Sequence, residues 1–292
     1  MQGFRPLRNN NKELRQDQDV RPHHERKTDI ITFRAARQIG LSVCVGSPSA
    51  PGACGVSHAG ATLAAAMVYD FQTQSFLSDG VLSPLELIRR ARHNGYEAIA
   101  ITDHVGLGGL VPLLDRLAED CRIAREEWGI LAIPGVELTH IPPNRIAEAA
   151  SRARDAGAGL VLVHGETPVE PVLPGTNRAA ASCPEVDVLG HPGLLSDEDA
   201  MLAAGNDVYL EISTRRGHSL ANGHIALVAQ RNGAKLLVNS DAHAPEDLLT
   251  EELAITAALG AGLSREDAGI ATKDNPRALL EILMSRLNQA PR

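Results

Sequence analysis

The sequence predicts an α/β protein: a barrel of parallel strands alternating with helices over 67–292, preceded by a disordered extension over 1–66. Short apolar runs of strand length recur at intervals of roughly 25–35 residues with helical patterns between them, the spacing of strand–helix–strand units with right-handed crossovers. Nearly every run ends in a carboxylate or an imidazole: Asp103-His104, Glu137, His164, His191, Glu211 and Asp241-Ala242-His243. Side chains alternate along a strand, so groups at successive strand ends share one rim only when the strands run parallel.

The runs 67–72, 97–102, 131–136, 159–164, 186–190, 207–212 and 235–240 read as strands, giving a (βα)7, TIM-like barrel. Helical patterns fill 84–94, 112–128, 143–156, 197–204 and 223–232. Ser83-Pro84 and Ser196-Asp197 supply a hydroxyl cap and suitable first-turn residues. Gly95, Gly157, Gly205 and Gly233 stop helices just before the next strand. Ser264-Arg265-Glu266-Asp267 and Asn275-Pro276 mark two further helix starts near the C-terminus. A doubly wound open sheet would gather its ligands in one crevice at a switch point. Decoration of nearly every strand end favours the barrel, whose active site lies at the C-terminal rim.

The first 66 residues have a different character. Residues 1–38 carry nine Lys and Arg against five acids; with a net charge of −8 for the whole chain, the remainder carries −12. The stretch 40–66 is rich in Ser, Gly, Ala and Pro without helical or strand period, and Pro48 and Pro51 break it where a signal peptide would be continuous. An extension outside the fold is expected there. The acidic balance offers no basic stripe for nucleic acid. No run approaches the roughly 20 apolar residues of a membrane span. Cys44, Cys54, Cys121 and Cys183 lack paired short spacing, which excludes a zinc finger and points to a reduced, cytoplasmic setting. The oligomeric state has no signature in the sequence.

The rim residues are imidazoles and carboxylates without thiolates, hard-to-borderline metal ligands that suit a metallohydrolase. Asp70-Phe71-Gln72-Thr73-Gln74 and Ser78-Asp79-Gly80 come first. Ile101-Thr102-Asp103-His104, Pro134-Gly135-Val136-Glu137, His164, Gly190-His191-Pro192 and Asn239-Ser240-Asp241-Ala242-His243 follow in order. This series resembles the motifs of the polymerase and histidinol phosphatase (PHP) family, whose opening motif reads Asp-Leu-His-Thr-His before Ser-Asp-Gly. The resemblance implies a distorted seven-stranded barrel holding two or three divalent ions, Zn²⁺, Mn²⁺ or Fe²⁺. Carried over by position, the first ion would take Gln72, Gln74, Glu137 and Asp241. The second would take Glu137, His164 and His191, and the third Asp79, His104 and His243. Glu137, Asp241 and His243 would then carry catalysis. The implied chemistry is hydrolysis of a small phosphorylated metabolite, of the histidinol-phosphatase kind. Clustered dications favour it by acidifying bound water and neutralising the charge that develops on phosphate.

Both histidines of the family's opening motif are glutamines here, at i and i+2 on one face of the first strand. An amide oxygen is a weaker neutral ligand than imidazole, and the amide NH₂ is a donor. The first ion position is therefore expected to be weak or empty. Two readings stay open: a working hydrolase, or an impaired member that binds metal or a phosphorylated ligand without efficient turnover. An amidohydrolase would favour a mid-barrel lysine, and Lys235 begins its strand instead. Arg215 and Arg216, after the Glu211 strand end, and Arg178, in the loop after His164, are candidate grips on phosphate, because guanidinium binds it bidentately. His140 and Glu166 lie just past ligands, where they orient as readily as they bind; His218 is a further candidate, and His224 reads as a surface residue at a helix start. Limited proteolysis is expected to leave a stable fragment beginning near residue 67; a stable fragment beginning well before residue 40 would count against that boundary.

Overall fold

The computed structural model of the protein describes residues 67–289, so the extension expected over 1–66 lies outside the described residues. Seven parallel strands form the barrel wall: β1 (Val68–Asp70), β2 (Tyr96–Ile101), β4 (Leu131–Leu138), β5 (Leu160–His164), β6 (Val188–Gly190), β7 (Tyr209–Ser213) and β8 (Leu236–Asn239), neighbours in that order. The two-residue β3 (His104–Val105) pairs with β4 and continues the register of β2: Ile101 faces Pro134 and His104 faces Glu137. β3 is therefore β2 resumed after a break at Thr102-Asp103, and the expected count of seven holds.

The helices are α1 (Pro84–His93), α2 (Leu110–Trp128), α3 (Ile146–Asp155), α4 (Thr176–Ala181), α5 (Asp197–Gly205), α6 (Asn222–Asn232), α7 (Glu251–Gly260), α8 (Arg265–Gly269) and α9 (Asn275–Gln289). The Ser83, Ser196 and Ser264 hydroxyls accept from the third residue beyond each, as their positions predict. The expected start at Pro143 opens a short 3-10 turn before α3. Gly205 differs from expectation: it ends α5 within the helix, and Asp207 takes the positive φ of 57°. The two C-terminal helix starts are joined by a π-turn at Ile270–Asp274. Helix α9 lays Leu279, Leu280 and Leu283 against Tyr69, Phe71, Ile133, Leu160, Val188 and Leu237, closing the barrel interior beneath the rim. Full burial of each leucine contributes about 1.5–3 kcal/mol. No helix among the described residues is long and apolar enough to cross a membrane.

Strands β1 and β8 meet without a regular ladder. A single parallel bridge joins Thr73 to Ala242, with Gln74 N donating to Ala242 O at 2.8 Å. Side chains complete the seam. Asp70 accepts from the Ser240 hydroxyl (2.5 Å), the Ser240 amide (3.1 Å), the Tyr96 hydroxyl (3.1 Å) and the Gln72 amide (3.4 Å). Phe71 N donates to Asn239 Oδ1 at 2.9 Å. Asp70 is fully buried, which pushes its pKa up to about 7 against the pull of these donors. A carboxyl raised in the folded state stabilises at low pH, and that contribution is lost as pH rises toward 7. Wild type is thus expected to lose stability relative to Asp70→Asn by about 1.4 kcal/mol per pH unit between pH 5 and 7. Asp70→Ala, which abandons all four donors, is expected to cost about 2–4 kcal/mol at any pH. Urea unfolding of the three proteins at pH 5 and 7 measures both effects, and parallel pH profiles would contradict the first.

Candidate metal centre

The C-terminal ends of the strands gather the functional side chains at one rim, where Asp79, His104, His164, Asp241 and His243 line a cavity of about 350 Å³ and Glu137 and His191 are buried beyond its lining. Glu137 comes from β4, His164 from the end of β5, His191 from just past β6, and Asp241 and His243 from just past β8. The loop after β1 brings Asp79. Asp103 holds that loop by accepting from Ser75 N (2.7 Å), Ser75 Oγ (2.7 Å) and Ser78 Oγ (2.6 Å). Of the pair at that strand end, Asp103 is therefore structural and His104 faces the cavity. Gly80 is required in the same loop, since a Cβ there would stand 2.1 Å from Gln74 O. Gly165 is required after His164, where a Cβ would meet Gly190 O at 2.3 Å. His191 and Asp241 hold positive φ angles of 29° and 53°, costly for non-glycine residues and commonest where function fixes the side chain.

Two trios assemble as the motifs imply. Ligating atoms of Asp79, His104 and His243 all lie within 4.8 Å of one another, and so do those of Glu137, His164 and His191. One ring nitrogen of His191, His164 and His243 is held by a neighbouring oxygen of the protein. His191 Nδ1 lies 3.2 Å from Glu211 Oε2, and Glu211 also accepts from His191 N (2.9 Å) and Asn239 Nδ2 (2.8 Å). His164 Nδ1 lies 3.1 Å from Gly165 O, and His243 Nδ1 lies 2.9 Å from Asp241 O. Such partners set the tautomer and the ring orientation of a ligating histidine. Glu137 sits between the trios, with Oε2 3.3 Å from His104 Nδ1 and Oε1 3.6 Å from His191 Nε2.

Gln72 and Gln74 lie beyond β1, which is shorter than its expected span of 67–72, on either side of the bridge at Thr73. Both reach the carboxylate expected of a bridging ligand: Gln72 Nε2 and Gln74 Nε2 donate to Glu137 Oε2 at 3.1 Å and 2.7 Å. Five buried acceptors have no hydrogen-bond partner among the described residues: Gln72 Oε1, Gln74 Oε1, Glu137 Oε1, Asp241 Oδ1 and His191 Nε2. Each such orphan costs roughly 1–3 kcal/mol. A set made of acceptors alone, at ligand positions, fits divalent cations.

The electrostatics agree. Burial raises the pKa of Glu137 and Asp241 well above the carboxylate range, each reinforced by its acidic neighbours, and burial pushes Glu211 up to about 7. Burial lowers His104 to about 4 and His218 to about 3, and also depresses His164 and His191. Asp79, hydrogen-bonded to His243, falls to about 2. His104, His164, His191 and His218 are thus held toward the neutral form that ligates, and Glu137 and Asp241 toward the protonated form.

The three arginines separate. Arg215 lines the cavity, with Nη1 2.6 Å from His243 Nδ1 and Nε 3.5 Å from Asp241 Oδ2. Arg216 instead lines an adjoining cavity with Thr214, Glu246 and Asp247. Arg178 sits on α4, in what the sequence suggested was a loop, and pairs with Asp199 at 2.8 Å on the exterior. Two cavity residues had little or no sequence signal. Glu170, from the long loop after β5, places Oε2 2.9 Å from His164 Nε2 and Oε1 3.5 Å from His218 Nε2. His218, bonded to Thr167 Oγ1 at 2.7 Å, follows the arginine pair, and that proximity was its only mark. His140 lines the cavity directly, and Glu166 accepts from Gly175 N and Asn177 N in the loop behind it.

No protein-family model matches the chain. The uncharacterized protein MJ1295 of Methanocaldococcus jannaschii is 45% identical over 220 residues, covering 74% of this chain and 99% of that protein. Ribonuclease P protein component 3 of Methanosarcina mazei is 26% identical over 228 residues, covering 73% of this chain and 88% of that protein. A histidinol phosphate phosphatase from Lactococcus lactis, solved with zinc, L-histidinol and phosphate, superposes with a TM-score of 0.49 at 16% identity, covering 68% of this chain and 95% of that one.

Because burial favours the protonated forms of Glu137 and Asp241, and a bound cation displaces those protons, metal affinity is expected to rise with pH when followed over a broad range of pH. Zn²⁺ added to chelator-stripped protein in weak buffer at pH 6.5 should release protons, read with a pH indicator. Affinity independent of pH across that range would show that these carboxyls are already ionised.

Proposed function

We propose that this chain, which belongs to the polymerase and histidinol phosphatase (PHP) family, is a hydrolase that cleaves the phosphoester of a small phosphorylated metabolite with divalent cations at the barrel mouth. The observation that carries this reading is the pair of ligand trios, linked through Glu137, of which Asp79, His104, His243 and His164 line one cavity together with Arg215. His164, His191 and Glu137 would hold one ion, and Asp79, His104 and His243 another. Mixed imidazole and carboxylate sites accept Zn²⁺, Mn²⁺ or Fe²⁺, so availability decides among them. Such ions, when bound, acidify water and neutralise charge on the phosphate.

The chain's own residues supply the remainder. Arg215 is the guanidinium positioned to hold a phosphate oxygen, whereas Arg216 and Arg178 face elsewhere. Glu211 and the Gly165 and Asp241 carbonyls aim the imidazoles. The cavity volume of about 350 Å³ suits a small molecule. The acidic balance of the chain speaks against a nucleic-acid substrate. At the first ion position, Gln72 and Gln74 weaken binding of a metal that prefers imidazole.

A second reading, a member that binds metal or a phosphorylated ligand without efficient turnover, is favoured by the glutamine pair. The likeness to a ribonuclease P protein component points the same way, toward a role within an assembly.

The test is hydrolysis of p-nitrophenyl phosphate and a panel of small phosphate monoesters by protein reloaded with Zn²⁺ or Mn²⁺. Turnover is expected, with His164→Ala and Arg215→Ala each reducing it at least tenfold. In Zn²⁺, the double change Gln72→His with Gln74→His is expected to raise the rate by roughly tenfold, since one pKa unit of a bound water corresponds to about 1.4 kcal/mol. Absence of turnover with either metal, in protein that binds both, would favour the second reading.

A further inference from the structure

We infer that the Gln72–Gln74 position is an all-oxygen cation site, selective for a hard divalent ion such as Mg²⁺ or Mn²⁺ over Zn²⁺, which makes the barrel mouth a mixed-metal centre. This rests on the reading of the mouth as a metal centre and changes what the first position is expected to hold. Four of the five partnerless buried acceptors are oxygens: Gln72 Oε1, Gln74 Oε1, Glu137 Oε1 and Asp241 Oδ1. All four belong to the residues that the motif assigns to this one ion, and each residue is at least 98% buried. Every other ligand position at the mouth lies in a trio with two imidazoles.

The amide ends are already in place. Both glutamines donate to the same oxygen, Glu137 Oε2, and Gln74 also neighbours the Asp241 carboxylate. A half-turn about the soft terminal torsion exchanges nitrogen for oxygen at each amide. Because neither oxygen has a partner to give up, that rotation replaces two donors to Glu137 with two oxygens facing a cation beside it. Amide and carboxylate oxygens suit Mg²⁺, Mn²⁺ and Ca²⁺, whereas Zn²⁺ prefers imidazole nitrogen. The competing role, a neutral clasp that replaces the ion, satisfies Glu137 Oε2 and brings Gln74 to Asp241. It leaves four oxygens without a hydrogen-bond partner among the described residues.

Chelator-stripped protein would be equilibrated with Zn²⁺ alone and with Zn²⁺ plus excess Mn²⁺, freed of unbound ions, and its metals counted by plasma emission, with bound Mn²⁺ confirmed by electron paramagnetic resonance. Wild type is expected to hold Zn²⁺ in both trios and to take one further Mn²⁺ from the mixture. Gln72→Leu with Gln74→Leu should lose the Mn²⁺ and keep both Zn²⁺. Gln72→His with Gln74→His should take a third Zn²⁺ and disfavour Mn²⁺ by about tenfold or more, and it decides the matter if the leucine pair does not fold. Mn²⁺ binding that survives the leucine pair, or a third Zn²⁺ in wild type equal to that of the histidine pair, would overturn the inference and leave the two-trio centre standing. Absence of Zn²⁺ from wild type would overturn the metal centre itself, and this site with it.

Discussion

Glu137, Glu211 and Asp241 are held out of water at one end of a parallel barrel, and the organisation of the mouth follows from that confinement. Burial raises the pKa of all three carboxyls, and repulsion by neighbouring carboxylates adds to the rise of Glu137 and Asp241. Glu211 is relieved by the His191 backbone amide and the Asn239 side chain. Glu137 takes the two glutamine amides on one oxygen and keeps the other bare. Asp241 has Arg215 near one oxygen and, among the described residues, no hydrogen-bond partner at the other. Neutral protein groups therefore cover only part of the charge, and depressed imidazole basicity keeps the surrounding histidines from covering the rest. Divalent cations of the proposed centre would supply the rest.

Barrel closure and site geometry are one problem in this chain. The seam between β1 and β8 is made by Asp70, Phe71, Asn239 and Ser240, and Gln72, Gln74 and Asp241 stand within a few residues of it. Asn239 serves both ends: its Oδ1 accepts from Phe71 N across the seam while its Nδ2 donates to Glu211, which orients His191. A disturbance of the seam would therefore shift ligands on β1, β6 and β8 together.

The rim was legible because its residues end apolar runs, and that pattern needs no long-range information. The barrel follows from strand-end position and parallel order; the grouping of the rim residues into trios, and of the glutamines with Glu137, comes from the resemblance to the PHP motifs. What could not be read depends on where loops fold back. Glu170 and His218 come from different loops, after β5 and β7, and meet only in space. Arg178 and Arg215 looked alike, since both follow strand ends; a short helix without a strong period turns the first outward, while the loop after β7 turns the second in. Helix α7 escaped notice because its Glu-Glu-Leu-Ala-Ile-Thr-Ala-Ala-Leu-Gly run has no distinct polar face, although Thr250 ahead of it is a good cap. The β2–β3 break is set by Asp103 serving the loop of Asp79, a contact with no local trace.

The two contacts of His243 Nδ1 are mutually exclusive. A single ring nitrogen cannot accept from the Arg215 guanidinium and donate to the Asp241 carbonyl at the same moment. With Nε2 carrying the proton, Nδ1 is an acceptor and Arg215 is tied to it. With the proton on Nδ1, the ring donates to the Asp241 carbonyl instead, and Arg215 keeps only its contacts with the Asp241 carbonyl and carboxylate. The tautomer of one imidazole thus decides whether Arg215 is anchored to the ring or to Asp241 alone.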